Sequence, residues 1–233
     1  VNDENEAGVR THVAYATLSG DFGSVTYGKN DNAFYRYIGS VQDYNDTIVF
    51  ERSNAEERTR LATYASPDFN GFGFVVESEL AGDGEPVNEA TDNSSSVNLA
   101  GYANLDAVTV HAAFSAGDLT EGANADNDSD GAYGLAAVTS IESVDFSAVY
   151  TNSQVNEAEQ TITGLYAKLP YDFGSLQAGV QNVDVDEQSG RTEIIGRATY
   201  DIAENVYTSV EYGKFDKEND EKDGFAVNLW YGF

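Results

Sequence analysis

The sequence predicts an all-β fold, a transmembrane antiparallel β-barrel. Three observations carry this reading. Apolar residues recur with a period of two over long stretches, the connections between those stretches alternate short and long, and aromatic residues gather beside the short ones. Strands in ordinary globular sheets run about 5–6 residues, whereas a tilted strand needs about 9–11 to cross a bilayer. Short turns at one end, long loops at the other and rings at turn level are the pattern of an outer-membrane barrel.

The C-terminal stretch shows the period best. Phe225, Val227, Leu229, Tyr231 and Phe233 fall on one face, and Ala226, Asn228, Trp230 and Gly232 on the other. That is a strand with one apolar face. The same criterion gives 13 strands, over residues 8–19, 23–29, 58–66, 71–80, 94–103, 107–116, 131–139, 144–151, 159–169, 174–185, 191–201, 205–215 and 223–233. The short connections, such as Gly20-Asp21-Phe22, Pro67-Asp68-Phe69-Asn70 and Asn104-Leu105-Asp106, hold turn residues. The long ones span 30–57, 81–93, 117–130, 152–158, 186–190 and 216–222 and hold much of the acidic charge. Phe22, Tyr64, Phe69, Phe72, Tyr102, Tyr171, Phe173, Tyr200 and Phe233 stand beside the short turns and are read as an interfacial girdle. No linker, composition shift or repeat divides the chain, so residues 1–233 read as a single β domain.

Composition excludes several functions. The chain has 233 residues, 40 Asp and Glu against 12 Lys and Arg, and a formal charge of −28. That balance argues against nucleic acid as a partner, since phosphate binding needs basic patches. There is no Cys, hence no disulfide framework, thiol nucleophile or Cys-ligated metal. No apolar stretch is long enough for a transmembrane helix. The two histidines, His12 and His111, lie far apart, and no nucleophile elbow, zinc-protease motif or phosphate loop occurs. No enzyme and no cofactor is expected. Asp126-Asn-Asp-Ser-Asp-Gly131 carries the first six positions of an EF-hand loop, but its twelfth position is Ala137 and not Glu. A solvated acidic loop is the better reading than loose divalent binding at Asp126, Asp128 and Asp130.

The segment Ala14-Tyr-Ala-Thr-Leu-Ser-Gly-Asp-Phe-Gly-Ser-Val-Thr-Tyr-Gly-Lys-Asn30 resembles the general diffusion porins of Gram-negative bacteria, at Gly23, Ser24, Tyr27, Gly28, Lys29 and Asn30. Leu61-Ala-Thr-Tyr-Ala-Ser-Pro-Asp-Phe-Asn-Gly-Phe-Gly-Phe74 and the C-terminal strand are similar in the same way. The resemblance implies a 16-stranded barrel in the outer membrane, a homotrimer, contact with membrane lipid and lipopolysaccharide, and a terminal strand read by the barrel assembly machinery through Phe233, Tyr231 and Leu229. Counted back from the C-terminus, the 13 strands become the family's strands four to sixteen. Three N-terminal strands are then expected to be missing, and the long connection of about 30–57 falls where the family's inward-folding loop lies.

The resemblance implies passive diffusion of small hydrophilic solutes, with loop carboxylates facing basic side chains on the wall. The loop offers Asp43, Asp46 and Glu51; the wall offers Arg10, His12, Lys29, Arg58, Arg60 and Arg197. For Arg58 and Arg60 a second reading stands equally, at the headgroup rim against lipopolysaccharide phosphates. Acidic loops over a thin basic wall predict a cation preference. The competing readings are a soluble, secreted acidic β-sandwich that binds a ligand, and a sugar-selective porin. The latter needs an aromatic track along the channel, and the inward candidates Trp230 and Tyr207 are too few to make one.

Overall fold

The structure is a computed structural model that describes residues 13–42, 46–53, 55, 58–79, 97–116, 131–155, 158–186, 188–216 and 223–232. Thirteen strands form one sheet: β1 (Ala14–Gly20), β2 (Gly23–Asp31), β3 (Arg58–Ala65), β4 (Phe72–Glu79), β5 (Val97–Leu105), β6 (Val108–Ala116), β7 (Ala132–Ile141), β8 (Val144–Val155), β9 (Ala158–Tyr171), β10 (Gly174–Val185), β11 (Arg191–Ala203), β12 (Val206–Phe215) and β13 (Gly224–Tyr231). They lie in sequence order, each antiparallel to the next. Every predicted strand is present. The predicted strand residues 8–12, 80, 94–96 and Phe233 lie outside the described residues.

The short turns are tight because single residues adopt left-handed backbone. Asn70, Asp106 and Asn205 have φ of 62°, 52° and 64°, a conformation that Asn and Asp tolerate best among residues with a Cβ. Glu142 does the same at 55° without that advantage. At Gly23, φ is 97° and an added Cβ would stand 2.2 Å from the Ala65 carbonyl oxygen, so β2 leaves its turn against the end of β3 only with glycine there.

Strands β8 to β11 run 12 to 14 residues, longer than their apolar stretches. The added residues lie at the long-connection end, where outward positions become polar: Asn152, Thr161, Asn182 and Asp184. Backbone pairing continues past the apolar band because ladder hydrogen bonds do not depend on side-chain hydropathy.

The two faces of the sheet are inverted relative to a water-soluble protein. On one face Phe225, Val227, Leu229 and Leu165 are 76%, 66%, 73% and 61% exposed. On the other, Glu77, Glu193 and Glu211 are fully buried, with Asn98, Gln181 and Ser209 beside them. A soluble β-sandwich packs its apolar faces together; here they point outward on strand after strand. The girdle residues Phe22, Phe69, Phe72, Phe173 and Tyr200 lie exposed around the short-turn end. Tyr102 departs from that expectation. Its parity with buried Asn98 and Ala100 puts it on the polar face, over Gly73.

The polar face carries the connection between β2 and β3. A five-residue helix, α1 (Ala33–Tyr37), and a 3-10 turn (Gly39–Val41) open it. The sequence reading gave no helix here, because five residues show no 3.6-residue period. Phe34, Ile38 and Phe50 are buried in one cluster with Val75, Ala100, Ala113, Tyr166 and Ile195 from the strands. Glycines of the sheet make the room. An added Cβ would stand 2.9 Å from Ile38 at Gly134, 2.9 Å from Phe50 at Gly179 and 2.4 Å from Ile48 at Gly213.

Candidate functional site

The connection 32–55 is held to the polar face by three buried carboxylates, one on each of β4, β11 and β12. Glu77 takes the first. Its Oε1 accepts the Ala33 N–H at 2.7 Å and the Asn98 amide at 3.3 Å, and its Oε2 accepts Arg36 at 2.6 Å and the Thr63 hydroxyl at 2.8 Å. It thus sits at the N-terminus of α1, where the helix leaves backbone donors unpaired. Asn32 caps the same end, its Oδ1 accepting the Tyr35 N–H at 2.9 Å, and its amide reaches the Ala55 carbonyl at 2.7 Å.

Glu211 takes the second. It accepts the N–H groups of Asp46, Thr47 and Ile48 at 2.8, 3.0 and 2.8 Å. Glu193 takes the third, accepting the Glu51 N–H at 2.8 Å, the Gln181 amide at 2.9 Å and Arg191 Nε at 3.0 Å. Gln181 also donates to the Glu51 carbonyl at 2.9 Å, and the Tyr166 hydroxyl stands between the side-chain oxygens of Gln181 and Gln42. An ionised carboxylate removed from water is costly unless its lone pairs are filled. Backbone donors of the connection fill them.

The connection's own carboxylates close ion pairs on the wall. Asp46 meets Arg197 at 2.5 Å and accepts the Tyr207 hydroxyl at 3.1 Å, and Glu51 meets Arg191 at 2.7 Å. The Arg197 guanidinium also lies 5.6 Å from the Tyr207 ring, which stacks on Trp230. Arg52 lies over the Tyr35 ring at 5.9 Å.

Of the residues singled out from sequence, the structure thus brings together Asp46, Glu51 and Arg197. Lys29 and Arg60 lie elsewhere. They are ladder partners on the outward face, sharing the parity of Val25, Tyr27 and Tyr64, at the long-connection end of β2 and β3. Arg58 pairs with Asp31 in the same ladder. Leu229 and Tyr231 are on the outward face of β13. Asp43, Arg10, His12, Phe233, Asp126, Asp128 and Asp130 lie outside the described residues. Sequence reading missed Arg36, Arg191 and the three buried glutamates. Each glutamate sits within a strand at the parity opposite its adjacent apolar residue, as in Ser-Val-Glu211-Tyr, and that was the available signal.

Residues 2–220 match the family described as Gram-negative porin. A monosaccharide porin from Halomonas is 26% identical, over 94% of this chain and 71% of the relative. Outer membrane protein U of Vibrio parahaemolyticus is 22% identical, over 99% and 73%. Among solved structures, Salmonella typhi OmpF in complex with daunomycin superposes with a TM-score of 0.74 at 19% identity, covering 95% of this chain and 78% of that one. An anion-selective porin from Comamonas acidovorans superposes at 0.66 and 15%, covering 93% and 72%. The chain belongs to the Gram-negative porin family, and its place is the outer membrane.

Proposed function

We propose that the chain forms a water-filled channel for passive diffusion of small hydrophilic solutes and ions, with a preference for cations, and that it performs no catalysis. One observation carries the reading: the sheet turns its apolar face outward and its charged and amide side chains inward. Lipid satisfies the first face and only water or a polar solute satisfies the second. Residues 46–51, tied to Glu211 and Glu193, are the segment that narrows the passage, with Asp46 and Glu51 against Arg197 and Arg191.

Cation preference follows from the net charge of −28 and the acidic long connections, which raise the local concentration of counter-ions. A porin of similar fold is anion-selective, so the sign is assigned here from this chain's own side chains and not from the fold. Assembly as a homotrimer accords with a trimer form of OmpT from Vibrio cholerae, a structure of similar fold. Lys29 and Arg60 on the outward rim suit lipopolysaccharide phosphates, and Tyr231 and Leu229 on the outward face of β13 suit recognition during barrel assembly.

Planar-bilayer conductance under a salt gradient tests this. Ohmic steps with a cation-selective reversal potential, in groups of three, are expected. An anion-selective potential overturns the electrostatic account, and the absence of openings from folded protein overturns the channel. A second reading, a channel preferring sugars, is favoured by the relative named a monosaccharide porin.

A further inference from the structure

Trp230 is the chain's single tryptophan, and it lies on the polar face. Its ladder partner is Tyr207, in register with the inward Ser209 and Glu211 two and four residues on. The two rings stack with centroids 5.4 Å apart and an interplanar angle of 15°. At Gly232 an added Cβ would stand 2.4 Å from the indole, so the ring lies down along the wall over that glycine. Trp230 is about half exposed, on the edge strand β13 of the described sheet. An indole kept for stability or anchoring belongs on the outward face at the girdle, with its ring in lipid and its N–H at the interface. Here a flat apolar surface faces the water side.

The neighbouring groups are polar and fixed. Asp46 is held by Arg197 and Tyr207 yet remains a third exposed. Asn228, one inward position from Trp230, accepts the Thr47 hydroxyl at 2.8 Å. We infer that Trp230 and Tyr207, with Asp46, Arg197, Asn228 and Thr47, form a subsite for the ring of a neutral sugar. This rests on the channel reading above and names one class of solute for it. A sugar ring is amphipathic in the matching way: its C–H face stacks on an aromatic plane, and its rim hydroxyls donate to a carboxylate and exchange hydrogen bonds with an amide. Arg197 lies between Asp46 and Glu211, so the Asp46 carboxylate is held in place while its exposed part stays open to sugar hydroxyls.

The single tryptophan gives a direct readout. In detergent, glucose changes Trp230 emission saturably, while sorbitol, which has comparable hydroxyls and no ring, does not. In planar bilayers, glucose lowers the ohmic current below that in sorbitol solution of equal viscosity. Trp230→Ala raises the half-blocking glucose concentration about three- to tenfold, and Trp230→Phe falls between. Equal effects of glucose and sorbitol in both readouts overturn the subsite, as does a Trp230→Ala channel blocked by glucose as strongly as the wild type. A protein without openings overturns the channel reading instead, and the emission titration then still decides the subsite.

Discussion

Replacing Glu211 by glutamine removes one oxygen acceptor and leaves shape nearly unchanged. The carboxylate receives three backbone N–H groups, those of Thr47 and Ile48 on Oε2 and that of Asp46 on Oε1. A glutamine oriented to keep the first two turns its amide N–H groups toward the Asp46 N–H, and toward Arg197 Nε, which lies 3.6 Å from Oε1. One charge-assisted bond is lost and a donor meets a donor. Such a bond contributes about 1.5–3 kcal/mol, and water can reach the exposed Asp46 and offset part of the loss. Glu211→Gln therefore weakens docking of residues 46–48 by about 2 kcal/mol, roughly thirtyfold in the docking equilibrium. Backbone hydrogen exchange read on the 46–53 segment should therefore speed up by about that factor, while exchange in β12 and β13 stays slow. Glu211→Ala, which leaves all three donors unmatched, should exceed it. Unchanged protection at 46–48 in a folded Glu211→Gln protein refutes the anchoring role.

Three other predictions follow from the same geometry. Leu165→Arg, midway along β9 on the outward face, should cost about 2–4 kcal/mol in denaturant unfolding from phospholipid bilayers; a change within about 0.5 kcal/mol contradicts a lipid-facing position. Asp46→Asn should move the reversal potential toward lower cation preference and Arg197→Ala toward higher, whereas shifts of the same sign in both contradict an electrostatic role for the pair. In the turn before β4, Asp68 accepts the Gly71 N–H and the Tyr102 hydroxyl, and these bonds hold its carboxyl below the ordinary 3.8. A depressed value means that the stabilisation is complete above the ordinary value and is lost as pH falls through the folded one. An NMR titration of Asp68 with its midpoint at or above 3.8 contradicts these contacts.

Much of the fold was legible because the period of two is a backbone property. Alternation in Phe225, Val227, Leu229 and Tyr231 named both the strand and its outward face. Strand ends were less legible, since β8 keeps pairing through Asn152 and Gln154 after its outward side chains become polar. Parity in Val25-Thr-Tyr27-Gly-Lys29 also pointed Lys29 outward, but its charge suggested the water side. Near a strand end a lysine can leave the apolar band and keep its charge hydrated. The site was half legible. The pairing of a loop carboxylate with Arg197 followed from charge, whereas α1 depends on Glu77, far from it in sequence, and no local signal reports that. Buried glutamates that accept backbone N–H groups look in sequence like any of the chain's many acids.

The most direct test of which face meets water uses the absence of cysteine from the sequence, which lets a nitroxide be placed at one position at a time. Labels at Leu135 and Leu165 face outward, and labels at Lys168 and Gln177 face inward. In reconstituted membranes the outward pair should relax by collision with oxygen, which concentrates in lipid. The inward pair should relax by collision with a water-soluble nickel chelate. Equal access of the chelate to all four positions contradicts a channel lined by the polar face of the sheet.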